Sequence, residues 1–194
     1  MDLYQEQYRI ASNRKTGRDY AAPGRYFVTV CTQNHMPWFG EIRNNIMGLN
    51  DIGCVVADEI QRTATVRPYA TINDWIVMPN HVHMIITINA RDETTPTATV
   101  ETSRRDVSTD ITQLIPLCRF RPCTLGTIVN HIKSQCTKRI RAMEHANFAW
   151  QHNYHDHIIR SDAELRRICG YIEENPRRWN WGYTPTKLYT RCSV

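Results

Sequence analysis

The sequence predicts an α+β fold: a ferredoxin-like antiparallel sheet with helices on one face, plus an additional C-terminal helix. Three observations carry that prediction. Runs of β-branched and aromatic residues alternate with stretches whose apolar residues recur every three or four positions. Pro-Gly, Pro-Asn and Asn-Pro pairs punctuate them. The resulting order is strand, helix, strand, strand, helix, strand, helix. At 194 residues and 41% hydrophobic, the chain can bury one good core, so 1–194 is expected to be a single domain.

After a polar, basic leader, Tyr26 to Thr32 reads as a central strand entered through Pro23-Gly24. Asn50 or Asp51 caps a helix running to about Val66, with Ile52, Val55, Val56 and Ile60 inward and Arg67-Pro68 ending it. Ile72 to Met78 and Val82 to Ile88 form two strands about the break Pro79-Asn80. From 90 to 123 the text turns to Thr, Ser, Asp, Arg and Pro without periodicity, which predicts a long loop or partly disordered insertion. Thr124 then caps a helix with Leu125, Ile128, Val129, Ile132, Cys136, Ile140 and Met143 inward, and Lys133, Lys138 and Arg141 outward. Phe148 to Gln151 and Tyr154 to Arg160 read as further strand. Ser161 to Glu164 is a capping box opening the last helix, which stops at Asn175-Pro176.

Composition narrows the function classes. No stretch approaches the roughly 18 apolar residues of a membrane span, and the N-terminus lacks a signal peptide's apolar centre, so a cytoplasmic protein with no membrane partner is expected. Seven cysteines, an odd number without a C-x-x-C pair, indicate neither a disulfide framework nor a cysteine zinc site. Charge is unevenly placed: residues 119–194 hold 13 basic and 6 acidic side chains, a bias that suits a polyanion or a solvated basic face.

The residues that can carry chemistry are few. His81-Val82-His83 opens a strand, where alternation puts both imidazoles on one face and Val82 in the core. Such a pair can hold a metal, with manganese, zinc or nickel suiting imidazole better than magnesium; the alternative is ordinary surface or hydrogen-bonded histidines. On the last helix Leu165, Ile168, Cys169 and Ile172 form the buried stripe, while Tyr171 and Asn175 stack along one flank, four residues apart. A tyrosine there is either a nucleophile or a half-buried anchor.

Four stretches then resemble one family. Pro79-Asn80-His81-Val82-His83, Leu125-Gly126-Thr127-Ile128 through Lys133-Ser134, Trp150-Gln151 through Tyr154-His155-Asp156-His157-Ile158-Ile159-Arg160, and Tyr171-Ile172-Glu173-Glu174-Asn175-Pro176-Arg177-Arg178-Trp179 are similar, in order, to the REP-associated tyrosine transposases. These are single-tyrosine members of the HUH nuclease superfamily. The likeness covers roughly residues 20 to 182 and is weakest over 90–123. It implies that His81 and His83 are paired metal ligands, Asn175 a third ligand and Tyr171 the nucleophile, with Mg2+ or Mn2+ as cofactor. It further implies cleavage and rejoining of hairpin-bearing single-stranded DNA through a 5′-phosphotyrosine. A monomer or a homodimer is compatible with the family.

Lys133, Lys138, Arg141, Arg160, Arg177 and Arg178, with Trp179 and Trp181, are the candidate DNA surface. Tyr154 is a rival nucleophile, disfavoured because it lacks a ligand one helical turn away, while His155 and His157 are structural or touch DNA or metal. Two other readings stay open. One is a non-catalytic single-stranded nucleic-acid-binding module; the other is a zinc hydrolase using His81, His83 and a further histidine.

Overall fold

A computed structural model of the protein describes residues 3–4, 7–8, 17, 19–90 and 124–179. The elements are β1 (Leu3–Tyr4), β2 (Gln7–Tyr8), β3 (Gly24–Cys31), β4 (Gly40–Arg43), β5 (Ile46–Leu49), α1 (Asp51–Val66), β6 (Ala70–Met78), β7 (His81–Ile88), α2 (Leu125–Ala142), β8 (His155–Ile159) and α3 (Asp162–Arg178). The 90–123 insertion, after its first residue, and Trp181 lie outside the described residues.

β6, β7, β3 and β8 form one sheet in that order, every pairing antiparallel, which is the α+β ferredoxin-like arrangement the sequence predicts. β3 and β7 are central and almost all of their side chains are buried, apolar on one face and on the other mixing Phe27 and Ile85 with Thr29, His81 and His83. Alternation divides them. Tyr26, Val28, Val30, Val82, Met84 and Ile86 face a large core closed by α1 and α2. Phe27 and Ile85 face the other way, toward Ile168 and Ile172 of α3. The additional helix therefore covers the sheet face that α1 and α2 leave open.

Each long helix begins where a side chain satisfies an otherwise orphaned backbone N–H. Asn50 Oδ1 accepts from Gly53 N–H at 2.9 Å, Thr124 Oγ1 from Thr127 at 3.2 Å and Ser161 Oγ from Glu164 at 3.2 Å. Among the described residues no helix is long and apolar enough to cross a membrane, and Cys31, Cys54, Cys136 and Cys169 are free thiols.

Three expectations need correction. Phe148 to Gln151 is not a strand; only Trp150 bridges Thr32. The reason is that side chains take up its carbonyls: Arg141 donates to Phe148 O, and Lys133 to Gln151 O at 2.6 Å. Met143 is 36% exposed because α2 ends one residue before it. The last helix does not stop at Asn175-Pro176 but runs on to Arg178 with Pro176 inside it. The β4–β5 ribbon goes unforeseen in the sequence; it turns on Asn44 and Asn45, both left-handed at φ 52 and 64.

Candidate active site

β7 starts at the residue after the Pro79-Asn80 turn, so its first and third side chains are His81 and His83. Val82 between them enters the large core, and both imidazoles turn toward α3. Cross-strand register seats His83 between Ile76 and Thr29, and His81 between Met78 and Cys31. Both rings are buried, 0% and 2% exposed, with their Nε2 atoms 3.1 Å apart. Each Nδ1 is held: His81 by Asn80 Oδ1 at 2.7 Å, His83 by Thr29 Oγ1 at 2.8 Å. Phe27 stacks on His83 with ring centres 5.2 Å apart.

Burial sets the charge of this pair. It pushes His81 down to about 3, the nearby His35 acts in the same direction, and a hydrogen bond to the Asn175 side chain opposes it. His83 is held well below the ordinary imidazole value, first by burial and then by His81. At neutral pH both rings are uncharged, the form in which imidazole offers a lone pair to a metal ion.

α3 brings the remaining groups. Its apolar positions Ile168 and Ile172 pack on Phe27, Ile85 and Ile159, which rotates Tyr171 and Asn175 toward the histidines. The Tyr171 hydroxyl lies 3.3 Å from His83 Nε2, and its ring stands edge-on to Phe27 at 6.1 Å. Asn175, one turn further, is 3% exposed and hydrogen-bonded to His81. Another turn on, Trp179 lies with its ring 5.9 Å from His81. The stripe Tyr171, Asn175, Trp179 thus follows the i, i+4, i+8 row of one helix across both imidazoles.

The N-terminus of α3 is tied to the sheet as well. Glu164 accepts from the Arg160 backbone N–H at 2.8 Å and pairs with His157 Nε2 at 2.7 Å, while Arg25 on β3 reaches Asp162 at 2.8 Å. His157 is therefore a strap on the helix. His155, opposite Thr29 in register, shares the face of the histidine pair. Tyr154 packs against the α1/α2 core, on the other side of the sheet from His83.

Two imidazole nitrogens and an amide oxygen are a donor set that suits Mn2+ and, with more strain, Mg2+. Among the described residues no group of three or more His, Cys, Asp or Glu gathers as a metal site.

The six basic candidates do not form one surface. Lys133 and Arg141 on α2 are spent on the carbonyls of 148–152, and burial pulls the Lys133 ammonium down to about 8. Lys138 is exposed on α2, beyond the large core. Arg177 and Arg178 are exposed on α3, Arg178 paired with Glu174, and Arg160 is exposed in the link from β8 to α3.

Sequence reasoning missed Thr29, Asn80, Phe27 and His35 as neighbours of the pair. For Asn80 a signal existed, since it sits next to His81 in the turn. Thr29 and Phe27 become neighbours only once strand register is known.

No family model matches the chain. It is 32% identical over 161 residues to an uncharacterized protein of Haemophilus influenzae, a span covering 83% of this chain and 84% of that one. Among solved structures it is similar to a REP-associated tyrosine transposase bound to a REP hairpin. The TM-score there is 0.53 at 23% identity, covering 87% of this chain and 75% of the other.

Proposed function

Because the chain belongs to one family with the Haemophilus influenzae protein and is built on the fold of a REP-associated tyrosine transposase, we propose that it cuts and rejoins single-stranded DNA carrying a hairpin, with Tyr171 as nucleophile. One observation carries this reading. The Tyr171 hydroxyl lies 3.3 Å from a ring nitrogen of a buried, neutral imidazole pair, with an amide side chain one helical turn away.

In the reaction, the Tyr171 oxygen bonds to phosphorus and the bond from phosphorus to the 3′ oxygen breaks. The phenol proton ends on the departing 3′ oxygen, directly or through solvent. A 5′-phosphotyrosine and a free 3′-hydroxyl result, and the reverse step reseals a strand without ATP because one phosphodiester replaces another. A free phenol ionises near 10, so its proton must leave as the bond forms. Phe27 and the packing of α3 fix the direction of the hydroxyl, which removes orientational freedom before attack. His81, His83 and Asn175 would hold a divalent ion, Mn2+ or Mg2+, which supplies charge neutralisation at a non-bridging phosphate oxygen.

Arg177 and Arg178 on α3, with Arg160 just before its first turn, are the better placed part of a DNA surface, because they lie along the helix that carries Tyr171. Trp179 offers a ring on which an unpaired base can stack.

The test uses hairpin-bearing single-stranded DNA with Mn2+ or Mg2+ and asks for a protein–DNA adduct that survives denaturant. Wild type should form it, and Tyr171→Phe should lose it while keeping DNA affinity. An adduct undiminished in Tyr171→Phe would falsify the nucleophile assignment; cut DNA without adduct would indicate a hydrolase, and binding alone a recognition module.

A further inference from the structure

Asn80 makes two side-chain hydrogen bonds that together fix its orientation. Its Nδ2 donates to the His35 carbonyl at 3.1 Å, and its Oδ1 lies 2.7 Å from His81 Nδ1. A backbone carbonyl can only accept, so the amide nitrogen must face His35 and the amide oxygen must face the imidazole. The imidazole Nδ1 is then obliged to be the donor. His81 therefore carries its proton on Nδ1 and leaves Nε2 as the acceptor nitrogen, 3.1 Å from His83 Nε2 and shared with the Asn175 side chain.

The carbonyl that anchors Asn80 is held at some expense. Asn34 and His35 both have φ of 54, in the left-handed region, with neither being glycine. His35 Nδ1 is buried with no hydrogen-bond partner. Further bonds keep the turn in place: Thr32 Oγ1 donates within it to Met36 O at 2.7 Å, and the Gln151 side-chain nitrogen lies 3.1 Å from His35 Nε2. A strained turn delivers one carbonyl to one amide, and that amide dictates a tautomer.

Thr29 differs in kind. Its hydroxyl can donate to or accept from His83 Nδ1, so it imposes no tautomer on that ring. The asymmetry gives the pair a fixed member and an adaptable one. With the proton of His83 on Nε2, the two rings share a hydrogen bond; with that proton on Nδ1, both lone pairs converge on a cation.

We propose that Asn80, anchored by the left-handed Asn34-His35 turn, is a positioning residue that locks His81 as the Nδ1–H tautomer and so keeps its Nε2 available as a metal ligand. This rests on the metal-binding reading of the site given above. The bland alternative is that Asn80 only ties two turns together, a role that would affect stability but not the tautomer.

The experiment uses the full chain and two readouts: long-range 15N–1H NMR of the histidine side chains after chelator treatment, and Mn2+ binding by electron paramagnetic resonance. In wild type the His81 signals should be those of an Nδ1–H ring. Asn80→Ala should mix the tautomers and weaken Mn2+ binding by roughly 10- to 100-fold, the range seen when outer-shell partners of a ligand are removed. Asn80→Asp keeps the acceptor for Nδ1–H but loses the donor to His35, so it should restore Mn2+ binding while its Tm stays below wild type. An Nε2–H ring at His81 in wild type overturns the proposal, as does an Asn80→Ala protein that binds Mn2+ like wild type. If wild type binds no Mn2+, the metal-binding reading fails, and the tautomer measured in wild type still decides the role of Asn80. Should Asn80→Ala not fold, the wild-type spectrum and Asn80→Asp suffice.

Discussion

Phe27 is the side chain on which the site's geometry leans. It is 6% exposed, stacks on His83 and meets the edge of Tyr171, so one apolar ring sets the distance between imidazole and phenol. Phe27→Ala should destabilise the protein by about 3 kcal/mol, in the usual range for a buried ring deleted from a core. It should also lower the rate of adduct formation on hairpin DNA, although no polar group of the site is touched; a rate equal to wild type would separate Phe27 from the chemistry. Asn175→Ala should weaken Mn2+ binding and leave the fold intact by circular dichroism. Asn175→Asp should keep binding, since a carboxylate replaces one oxygen donor by another.

The helix that carries Tyr171 is positioned by its first turn as much as by its apolar stripe. The Arg160 backbone N–H and then His157 hold the Glu164 carboxyl below the ordinary value of 4.5. A lowered acid contributes stability that is present above its ordinary pKa and is lost as pH falls through the lower folded value. Urea midpoints should therefore drop on acidification below about pH 4.5, and Glu164→Gln should flatten that limb. Gly40 makes a different demand on its element. It sits at φ 133, and a Cβ there would lie 2.0 Å from Gly48 O, so Gly40→Ala should unpair the β4–β5 ribbon and cost about 2 kcal/mol or more.

Strand and helix identity was legible wherever one periodicity dominates, as in β3, β7, α1 and α2. The paired imidazoles were legible too, because alternation along a strand needs no tertiary knowledge. What escaped was whatever depends on side chains reaching across elements. Lys133 and Arg141 look like solvated charges on a helix face until the carbonyls of 148–152 are found beneath them. The same interaction turned an expected strand into a side-chain-tethered loop. Thr29 shows the limit most plainly: eight residues of strand reveal its face, but only the pairing of β3 with β7 reveals that it meets His83.

Across the molecule the two faces of the sheet are unequal. The apolar cluster on the α1/α2 face holds 22 buried residues among those described and the one on the α3 face five, so stability resides mainly on the side away from the candidate site. A polar contact reinforces that larger side. Glu59, 5% exposed on α1, receives Arg139 of α2 at 2.7 Å, with Arg62 as a second partner at 3.5 Å. Arg139→Ala should cost about 2 kcal/mol, less than a fully buried pair because Arg62 remains, and adding Glu59→Gln should recover part of the loss in thermal denaturation.

Such lopsided packing gives the two halves different lifetimes. A helix docked through a handful of apolar side chains opens more often than the sheet beneath it, without global unfolding. Backbone amides of 165–175 should accordingly exchange with deuterium well before those of 82–86, and the group that attacks would ride on the segment that breathes first.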